Sequence, residues 1–150
     1  MKYNALPSSF YCNTRQAFIN KLNASSLAIF NSNDVYPIGA DSTLPFEQHR
    51  DIFYLSGIDQ EESILILFPD ALEEKHREIL FIRKTDEHIA IWEGAKLTKI
   101  QAEKISGIQT IYWLEDFTKI FQKLSTQCET FYFNTNEHYR QAVELSLIHI

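Results

Sequence analysis

Apolar residues recur along the first two thirds of the chain in short runs that have the lengths of strands. These runs lie at residues 27–30, 52–55, 64–68 and 79–82, and a further candidate lies at 88–92. The runs at 64–68 and 79–82 are almost continuously apolar, which is typical of strands that are covered on both faces. We therefore expect helices on both sides of a sheet.

Helix signals surround these runs. Residues 1–13 are predicted to be irregular, with a turn at Pro7. A short amphipathic helix follows, with Asn13 or Thr14 as its cap and three apolar residues at helical spacing, Ala17, Phe18 and Leu22. The polar connection at 70–78 suits a hairpin between two of the strands, whereas residues 32–50 are predicted to form a long loop.

The remainder of the chain alternates helix and strand signals. Thr98 and Gln101 have the spacing of a capping box, and Gly107 is predicted to end the helix that they open. Strands are predicted at 111–113 and 130–133, and helices at 115–124 and from Glu137 onwards. Consecutive strands followed by alternating strands and helices indicate one α/β domain with a mixed sheet, partly antiparallel and partly parallel.

Composition narrows the function classes. The chain has 150 residues, of which 45% are hydrophobic, enough for one domain with a core. Its net charge is −6 and its 14 Lys and Arg residues form no run, which argues against binding nucleic acid. No apolar stretch approaches the roughly 20 residues that cross a bilayer, so no membrane association is expected.

The cysteine content and the amino-terminal sequence suggest a cellular compartment for the protein. The chain has two cysteines, Cys12 and Cys128, and no apolar segment of signal-peptide length near its amino terminus. A reducing, cytoplasmic compartment is therefore expected.

Residues 145–150 are mostly apolar, which leads us to expect either a longer polypeptide or an end that packs against another body.

The chain shows no arrangement of residues typical of a catalytic or metal site. Its histidines lack metal-ligand spacing and are interpreted as surface or supporting residues: His49, His76, His88, His138 and His149. There is no CxxC pair, GxSxG elbow or phosphate-binding glycine loop. The acidic group Asp59, Glu61 and Glu62 is predicted to be a solvated face.

A metal-dependent nuclease is a further hypothesis for a mixed sheet of this kind. Such an enzyme needs carboxylates in the middle of core strands. The runs at 27–30, 64–68 and 79–82 contain none, and Asp51, predicted to open its strand, cannot hold two metals alone. The sequence therefore disfavours a nuclease, and cleavage of nucleic acid with Mg²⁺ or Mn²⁺ would be its test.

Trp92 stands out among the aromatic residues. It ends the alternating run at 88–92, directly before a turn at Gly94. One interpretation is an aromatic residue of the core or its rim. The other is a recognition surface, because an indole supplies a large contact area at a low cost in conformational entropy.

Three blocks of sequence resemble a known family. The most specific block, at 41–57, couples Pro45-Phe46-x-Gln48 to Asp51-x-Phe53-Tyr54-Leu55-Ser56-Gly57, and weaker blocks lie at 61–69 and 90–94. Over residues 14–140 the chain resembles the amino-terminal domain of the aminopeptidase P, prolidase and creatinase family. The resemblance implies a ribonuclease-H-like fold, a mixed β-sheet flanked by helices, which agrees with the order of predicted elements.

The resemblance also implies a function for the whole protein. It would be an Xaa-Pro metallo-aminopeptidase, which releases the amino-terminal residue before proline. Two Asp, one His and two Glu of a carboxy-terminal, pita-bread domain would bind two divalent metal ions, typically Mn²⁺. Residues 1–150 would be a single non-catalytic amino-terminal domain, inactive alone, with no cofactor of its own. The alternative is a peptide- or protein-binding module of a catalytically inactive relative.

In the family, this domain walls the active-site cleft, limits substrate length and builds dimers or tetramers. The implied partners are therefore the catalytic domain, further copies of the chain and proline-containing peptides. Trp92 falls where aminopeptidase P carries a tryptophan that reaches a neighbouring subunit's active site, and Asp41 opens a turn near a loop that approaches the cleft. Glu47 departs from the family, because many members have Arg there; Arg50 lies three residues further on.

Overall fold

The computed structural model describes residues 5–85 and 94–135. Its helices are α1 (Ser8–Ile19), α2 (Arg50–Ser56), α3 (Lys99–Ser106) and α4 (Phe117–Ser125). Its strands are β1 (Ser26–Asn31), β2 (Ile64–Leu67), β3 (Glu78–Ile82), β4 (Thr110–Trp113) and β5 (Thr130–Phe133). Short 3₁₀ turns at Glu74–His76 and Leu114–Asp116 precede β3 and α4.

The strands form one mixed sheet in the order β4-β3-β2-β1-β5. β2 is antiparallel to both of its neighbours, with Ala28 opposite Leu67 and Leu65 opposite Leu80. The outer strands β5 and β4 run parallel to β1 and β3. The predicted combination of antiparallel and parallel pairs is therefore confirmed, as are the strands expected near 27–30, 64–68, 79–82, 111–113 and 130–133.

Helices cover both faces of the sheet, as the continuous apolar runs predict. Ile52 and Leu55 of α2 and Ala102 of α3 are buried in the cluster on one face. Phe117 and Phe121 of α4 are buried in the cluster on the other face. Every residue of β1 is buried. The middle strands therefore separate two apolar clusters, and apolar residues on both faces stabilise them.

The capping box of α3 is confirmed. Thr98 Oγ1 accepts a hydrogen bond from the Gln101 backbone amide at 3.2 Å, and Gln101 Oε1 accepts from the Thr98 amide at 2.9 Å. Gly107 ends the helix in the left-handed region, at φ 73°, and donates its amide to Glu103 O at 2.7 Å. A side chain at Gly107 would also meet Cys12 Sγ, because an added Cβ would lie 2.6 Å from the sulfur.

The strand predicted at 52–55 is wrong, because this segment is helix α2. His49 caps its amino terminus by accepting the Asp51 amide at Nδ1, 3.2 Å away. Gly57 ends it at φ 71°. Ile52 and Leu55, three residues apart, are both buried, as one face of a helix requires. The aromatic and β-branched residues of the run favour a strand, but the two end signals and the packing determine the structure.

The predicted start of the first helix is also wrong. α1 begins at Ser8 rather than at residue 13 or 14, after Pro7 with φ −66° and ψ 147°. Pro7 is therefore the entry of a helix rather than the predicted turn, a common position for proline. The early part of the helix is buried through Tyr11. Arg15, only 1% exposed, lies on the same buried face. Its charge interrupts the apolar periodicity from which a buried helix face is predicted.

Some predictions fall outside the described residues. These are the strand at 88–92, the helix from Glu137 onwards, and every statement about the position of Trp92. Among residues 5–85 and 94–135, no helix has the length and apolar character needed to span a membrane.

His76 makes the stability of the fold depend on pH. The ring is buried in the turn before β3, and its Nδ1 lies 3.7 Å from a carboxylate oxygen of Glu73. Burial lowers the pKa of His76, Glu73 raises it, and Lys123 and Lys75 lower it further. Hydrogen bonds from Lys123 and Lys75 lower the pKa of Glu73 to about 2, so Glu73 stays ionised wherever His76 titrates.

We expect the free energy of unfolding to fall between about pH 7.5 and about pH 5 because of this histidine. Its pKa in the folded state lies below the unfolded value of about 6.5. The stability contributed by the neutral ring is therefore complete above about pH 6.5 and is lost as the pH falls through that value. Urea unfolding at the two pH values measures the difference.

Two variants make this measurement specific. His76→Gln does not titrate in this range and is expected to remove most of the pH dependence. Arg77→Gln changes the exposed neighbour and should retain the pH dependence of the native chain. An equal loss of stability in His76→Gln and in the native chain would contradict the assignment to His76.

Candidate functional site

The long loop between β1 and α2 contains a projecting hairpin, residues 35–44. A bridge between Pro37 and Thr43 closes it. Backbone hydrogen bonds of 2.9 Å join Ile38 N to Ser42 O and Leu44 N to Tyr36 O. The resemblance points to Asp41 as a substrate-binding residue, and Asp41 lies at the exposed tip of this hairpin. Its carboxylate is therefore presented to whatever faces the loop.

The same hairpin exposes large apolar side chains. Tyr36 is 61% exposed and Ile38 is 59% exposed, while Val35 and Leu44 are exposed at 39% and 47%. Four large apolar residues of one hairpin are thus exposed, and exposed apolar residues that lie close together mark interaction sites. The sequence alone does not reveal this exposure, because exposure depends on the tertiary structure and not on composition.

Gln48, the glutamine of the aromatic-x-Gln element, anchors the end of the loop. Its Nε2 donates to Ile58 O at 3.0 Å and to Gln60 O at 2.9 Å, and its Oε1 accepts the His49 amide at 2.8 Å. Both donors and the acceptor of this side chain are therefore used. The role of Gln48 in the described structure is to fix the loop against the connection between α2 and β2.

His49 and Asn134 connect the loop and β1 to the segment after β5. Because His49 Nδ1 accepts the Asp51 amide, the proton of a neutral ring lies on Nε2, which then donates to Thr135 O at 3.3 Å. Asn134 Oδ1 accepts the Asn31 amide at 3.0 Å, and its Nδ2 donates to Asn31 O at 3.0 Å. The loop and β1 are thus held to one end of β5.

Glu47 and Arg50, the residues at the departure from the family pattern, are both exposed. Glu47 stabilises the loop through its backbone, because its carbonyl oxygen accepts a hydrogen bond from Asn33 Nδ2 at 3.0 Å. Arg50 is the first residue of α2. Neither side chain forms an ion pair with the part of the chain that the structure describes.

The two flanks of the segment that carries Trp92 are held close together. Thr85 Oγ1 accepts the Lys96 amide at 3.0 Å, and Gln60 Oε1 accepts the Leu97 amide at 2.7 Å. Lys96 also forms an ion pair with Glu61, and the two side chains are only 10% and 14% exposed. The prediction of a solvated acidic face is therefore wrong for Glu61, because its carboxylate is paired and largely buried.

The buried cation Arg15 was not found by sequence reasoning. Its Nη1 donates to Leu55 O and to Ser106 O, each at 2.9 Å. Its Nε donates to Glu78 Oε2 at 3.0 Å, and Cys12 Sγ lies 3.5 Å from Nη2. Arg15 thereby joins the carboxyl ends of α2 and α3, where helix carbonyls attract a cation, to the first residue of β3.

Residues 5–85 and 94–135 contain no group of three or more His, Cys, Asp or Glu that could hold a metal ion. The middle of β1, β2 and β3 carries no carboxylate. The described residues therefore offer neither a metal-ligand set nor the carboxylate arrangement of a two-metal nuclease.

Comparison with known proteins identifies the family. The chain matches the family model of the aminopeptidase P N-terminal domain over residues 11–132, and it belongs to that family. A solved structure of a Bacillus anthracis protein assigned to aminopeptidase P has a TM-score of 0.83 and 26% identity, covering 95% of this chain and 34% of that one. The predicted fold class, a mixed sheet flanked by helices, is thus confirmed.

Two curated relatives are much longer than the region that this chain matches. It is 27% identical to human Xaa-Pro aminopeptidase 3 over 105 residues, which is 69% of this chain and 21% of the human protein. It is 28% identical to the Xaa-Pro aminopeptidase of Escherichia coli strain K12 over 112 residues, covering 74% of this chain and 25% of that enzyme. The matches span about a fifth to a quarter of these relatives.

Proposed function

We propose that residues 1–150 are a single, non-catalytic amino-terminal domain of an Xaa-Pro aminopeptidase. Such an enzyme releases the amino-terminal residue of a peptide when the next residue is proline. The match to the aminopeptidase P N-terminal domain over residues 11–132 carries this proposal. In the intact protein, a carboxy-terminal catalytic domain would bind two divalent metal ions, expected to be Mn²⁺. This chain would be inactive alone.

The domain would shape the substrate cleft and mediate a homodimer or homotetramer. The apolar residues of the 35–44 hairpin support a docking role, because their exposure is costly in an isolated domain and favourable in an interface. Asp41, at the tip of that hairpin, would face the substrate site of a neighbouring subunit. The anchoring of the loop by Gln48 would fix the position of this carboxylate.

Trp92 would line the same substrate site, also from a neighbouring subunit. Its segment is attached to the domain at two flanks that Thr85, Lys96 and Gln60 hold together. The largely buried pair of Glu61 and Lys96 reinforces this attachment. Restriction of both flanks would lower the entropy cost of placing the indole against a peptide.

We expect Trp92→Ala in the full-length enzyme to lower kcat/KM toward Xaa-Pro peptides by about tenfold or more, since aromatic contacts of this kind dominate recognition sites. Asp41→Asn should lower the same ratio. Both changes should leave this domain folded, because Asp41 is exposed and Trp92 is proposed to face a substrate site rather than the core. Peptide hydrolysis and calorimetry of the same preparations measure the two quantities.

Tyr54→Ala is the matched control, because Tyr54 is an aromatic residue of α2 that is 57% exposed and has no proposed contact with substrate. Its activity should equal that of the native enzyme. Native kcat/KM in both Trp92→Ala and Asp41→Asn would contradict the role in a neighbouring site. Peptide binding without metal-dependent hydrolysis by the full-length protein would instead support the inactive binding module.

A cytoplasmic location is also proposed. Cys12, which is exposed, and Cys128 are both free thiols. Burial raises the pKa of the Cys128 thiol, which keeps it protonated and unreactive. Two unpaired cysteines are consistent with a reducing compartment.

A further inference from the structure

The segment that carries the 35–44 hairpin, residues 32–51, concentrates negative charge. It has four carboxylates and one cation, a net charge of −3, in a chain whose net charge is −6. The carboxylates belong to Asp34, Asp41, Glu47 and Asp51, and the cation belongs to Arg50. Half of the net charge of the chain therefore lies in this one segment, and Arg50 does not balance it.

Cations on the neighbouring connection between α2 and β2, residues 57–63, do not balance this charge either. Lys96 forms an ion pair with Glu61. Arg83 Nε lies 3.2 Å from Glu62 Oε2. Each of these cations has a carboxylate of its own, so the charge of the segment stays negative where the segment meets this connection.

Two of the carboxylates are available to a ligand. Asp41 at the tip of the hairpin and Glu47 beyond its base are exposed, and neither side chain forms an ion pair with the described part of the chain. Their backbone positions are fixed. Asn33 Nδ2 donates to Glu47 O at 3.0 Å, and the bridge between Pro37 and Thr43 closes the hairpin. The segment thus presents negative charge on an ordered backbone, which favours cations nearby.

The hairpin also has an apolar face. Residues 36 and 38 are two apart on one arm, and Leu44 lies opposite Tyr36, so these side chains share a face. Tyr36 and Ile38 are each more than half exposed. The face of a tyrosine ring attracts cations, and an apolar surface accepts the methylene stem of lysine or arginine. Charge and apolar surface together match a long cationic side chain.

We propose that this hairpin makes the substrate site selective for peptides with lysine or arginine directly after the proline. The inference rests on the proposed function, in which the hairpin faces the substrate site of a neighbouring subunit. An aminopeptidase holds the amino end of its substrate at the reacting groups, so the residues after the proline extend towards the entrance of the cleft. A hairpin from another subunit meets that part of the peptide.

In this arrangement Asp41 and Glu47 favour a cationic side chain and disfavour an anionic one. Tyr36 contacts the stem of the cationic side chain. A peptide bound between two subunits lies within their interface, so the apolar face of the hairpin serves both the docking of the subunits and the contact with substrate.

The test compares three peptides with the full-length enzyme: Gly-Pro-Lys-Ala-amide, Gly-Pro-Gln-Ala-amide and Gly-Pro-Glu-Ala-amide. They differ in the charge of one side chain and have no terminal carboxylate. We expect kcat/KM to fall in the order Lys, Gln, Glu, with about tenfold between the first and the last at low salt. The ratio should shrink to about twofold in about 0.5 M NaCl, because salt screens exposed charges.

Variants assign this preference to the hairpin segment. Glu47→Gln and Asp41→Asn should each lower the Lys-to-Glu ratio of kcat/KM by about two- to threefold, because each removes one negative charge. Tyr36→Leu should lower kcat/KM for the Lys peptide alone, by about twofold, because leucine is apolar but has no ring. Glu103→Gln makes the same change of charge on the exposed surface of α3 and should keep the native ratio. A ratio measured on one preparation does not depend on the folded fraction of the variant.

Two results would overturn this inference alone. One is hydrolysis of the three peptides with equal kcat/KM. The other is a preference for the Lys peptide that both Glu47→Gln and Asp41→Asn retain in full. In each case the Gln peptide is still hydrolysed, so the peptidase proposal stands. If the enzyme hydrolysed none of the three peptides, the peptidase proposal would fail, and the inference would fail with it.

Discussion

Replacement of Arg15 by methionine is expected to lower the free energy of unfolding by roughly 3–5 kcal/mol, a large share of the stability of a domain. Methionine can fill much of the space but donates no hydrogen bond. The carbonyls of Leu55 and Ser106 would lose their Arg15 donor in a buried position. Each unsatisfied buried carbonyl costs about 1–3 kcal/mol, and the lost bond to Glu78 adds to that cost.

Urea unfolding of Arg15→Met against Arg50→Met measures this effect. Arg50 is exposed at the start of α2, and its replacement should change the unfolding free energy by less than about 0.5 kcal/mol. Arg15→Lys should fall between the native chain and Arg15→Met, because an ammonium group lacks the planar fork that reaches several partners. A value for Arg15→Met within about 1 kcal/mol of native would show that Arg15 is not essential for stability.

Valine at Gly57 is expected to destabilise the domain by roughly 3 kcal/mol or more. Gly57 has a φ of 71°, a conformation that β-branched residues strongly disfavour. An added Cβ would also lie 2.5 Å from two ring carbons of Tyr11, which is itself buried against the domain. The backbone strain and the collision act together, so α1 and α2 would have to separate.

Gly39→Val is the matched control for Gly57→Val. A Cβ at Gly39 has no neighbouring atom within 4 Å, and this glycine does not have a positive φ. Its replacement should leave the unfolding free energy within about 0.5 kcal/mol of native. If the two valine variants were equally stable in urea, Gly57 would not be required by its conformation or by Tyr11.

The sheet could be predicted because its strands are apolar on both faces. The runs at 64–68 and 79–82 are almost continuously apolar, which favours the middle of a covered sheet. The helix α3 was equally predictable, because Thr98 and Gln101 determine its start locally. The signals for these elements, an apolar run or a capping pair, lie within the segments themselves and can be read directly from the sequence.

The two wrong predictions of secondary structure have a common cause in long-range packing. Helix α1 includes Arg15 on its buried face, and the acceptors that make this burial favourable are distant in sequence, up to 91 residues away. Helix α2 has a strand-like composition but ends at Gly57, whose conformation accommodates the ring of Tyr11 on α1. No pattern within either segment reveals a partner on another element.

Part of the candidate site was predictable in its residues, but not in their roles. The block that resembles the family contains Gln48 and Gly57, and the structure shows both as supports of the loop and of α2. Asp41 was placed near a cleft by resemblance, and its position at the tip of a hairpin could not be read from its neighbours. The roles of Asp41 and Trp92 stay predictions.

The pairing of β1 with β5 also has a consequence for synthesis on the ribosome. The bonds between Asn31 and Asn134 span 103 residues, so the edge of β1 that faces β5 can be closed only after the distant segment has emerged. Until then, β1 can pair only with β2, and its other edge stays open to foreign strands. That edge of β1 is therefore open to aggregation until β5 has been synthesised.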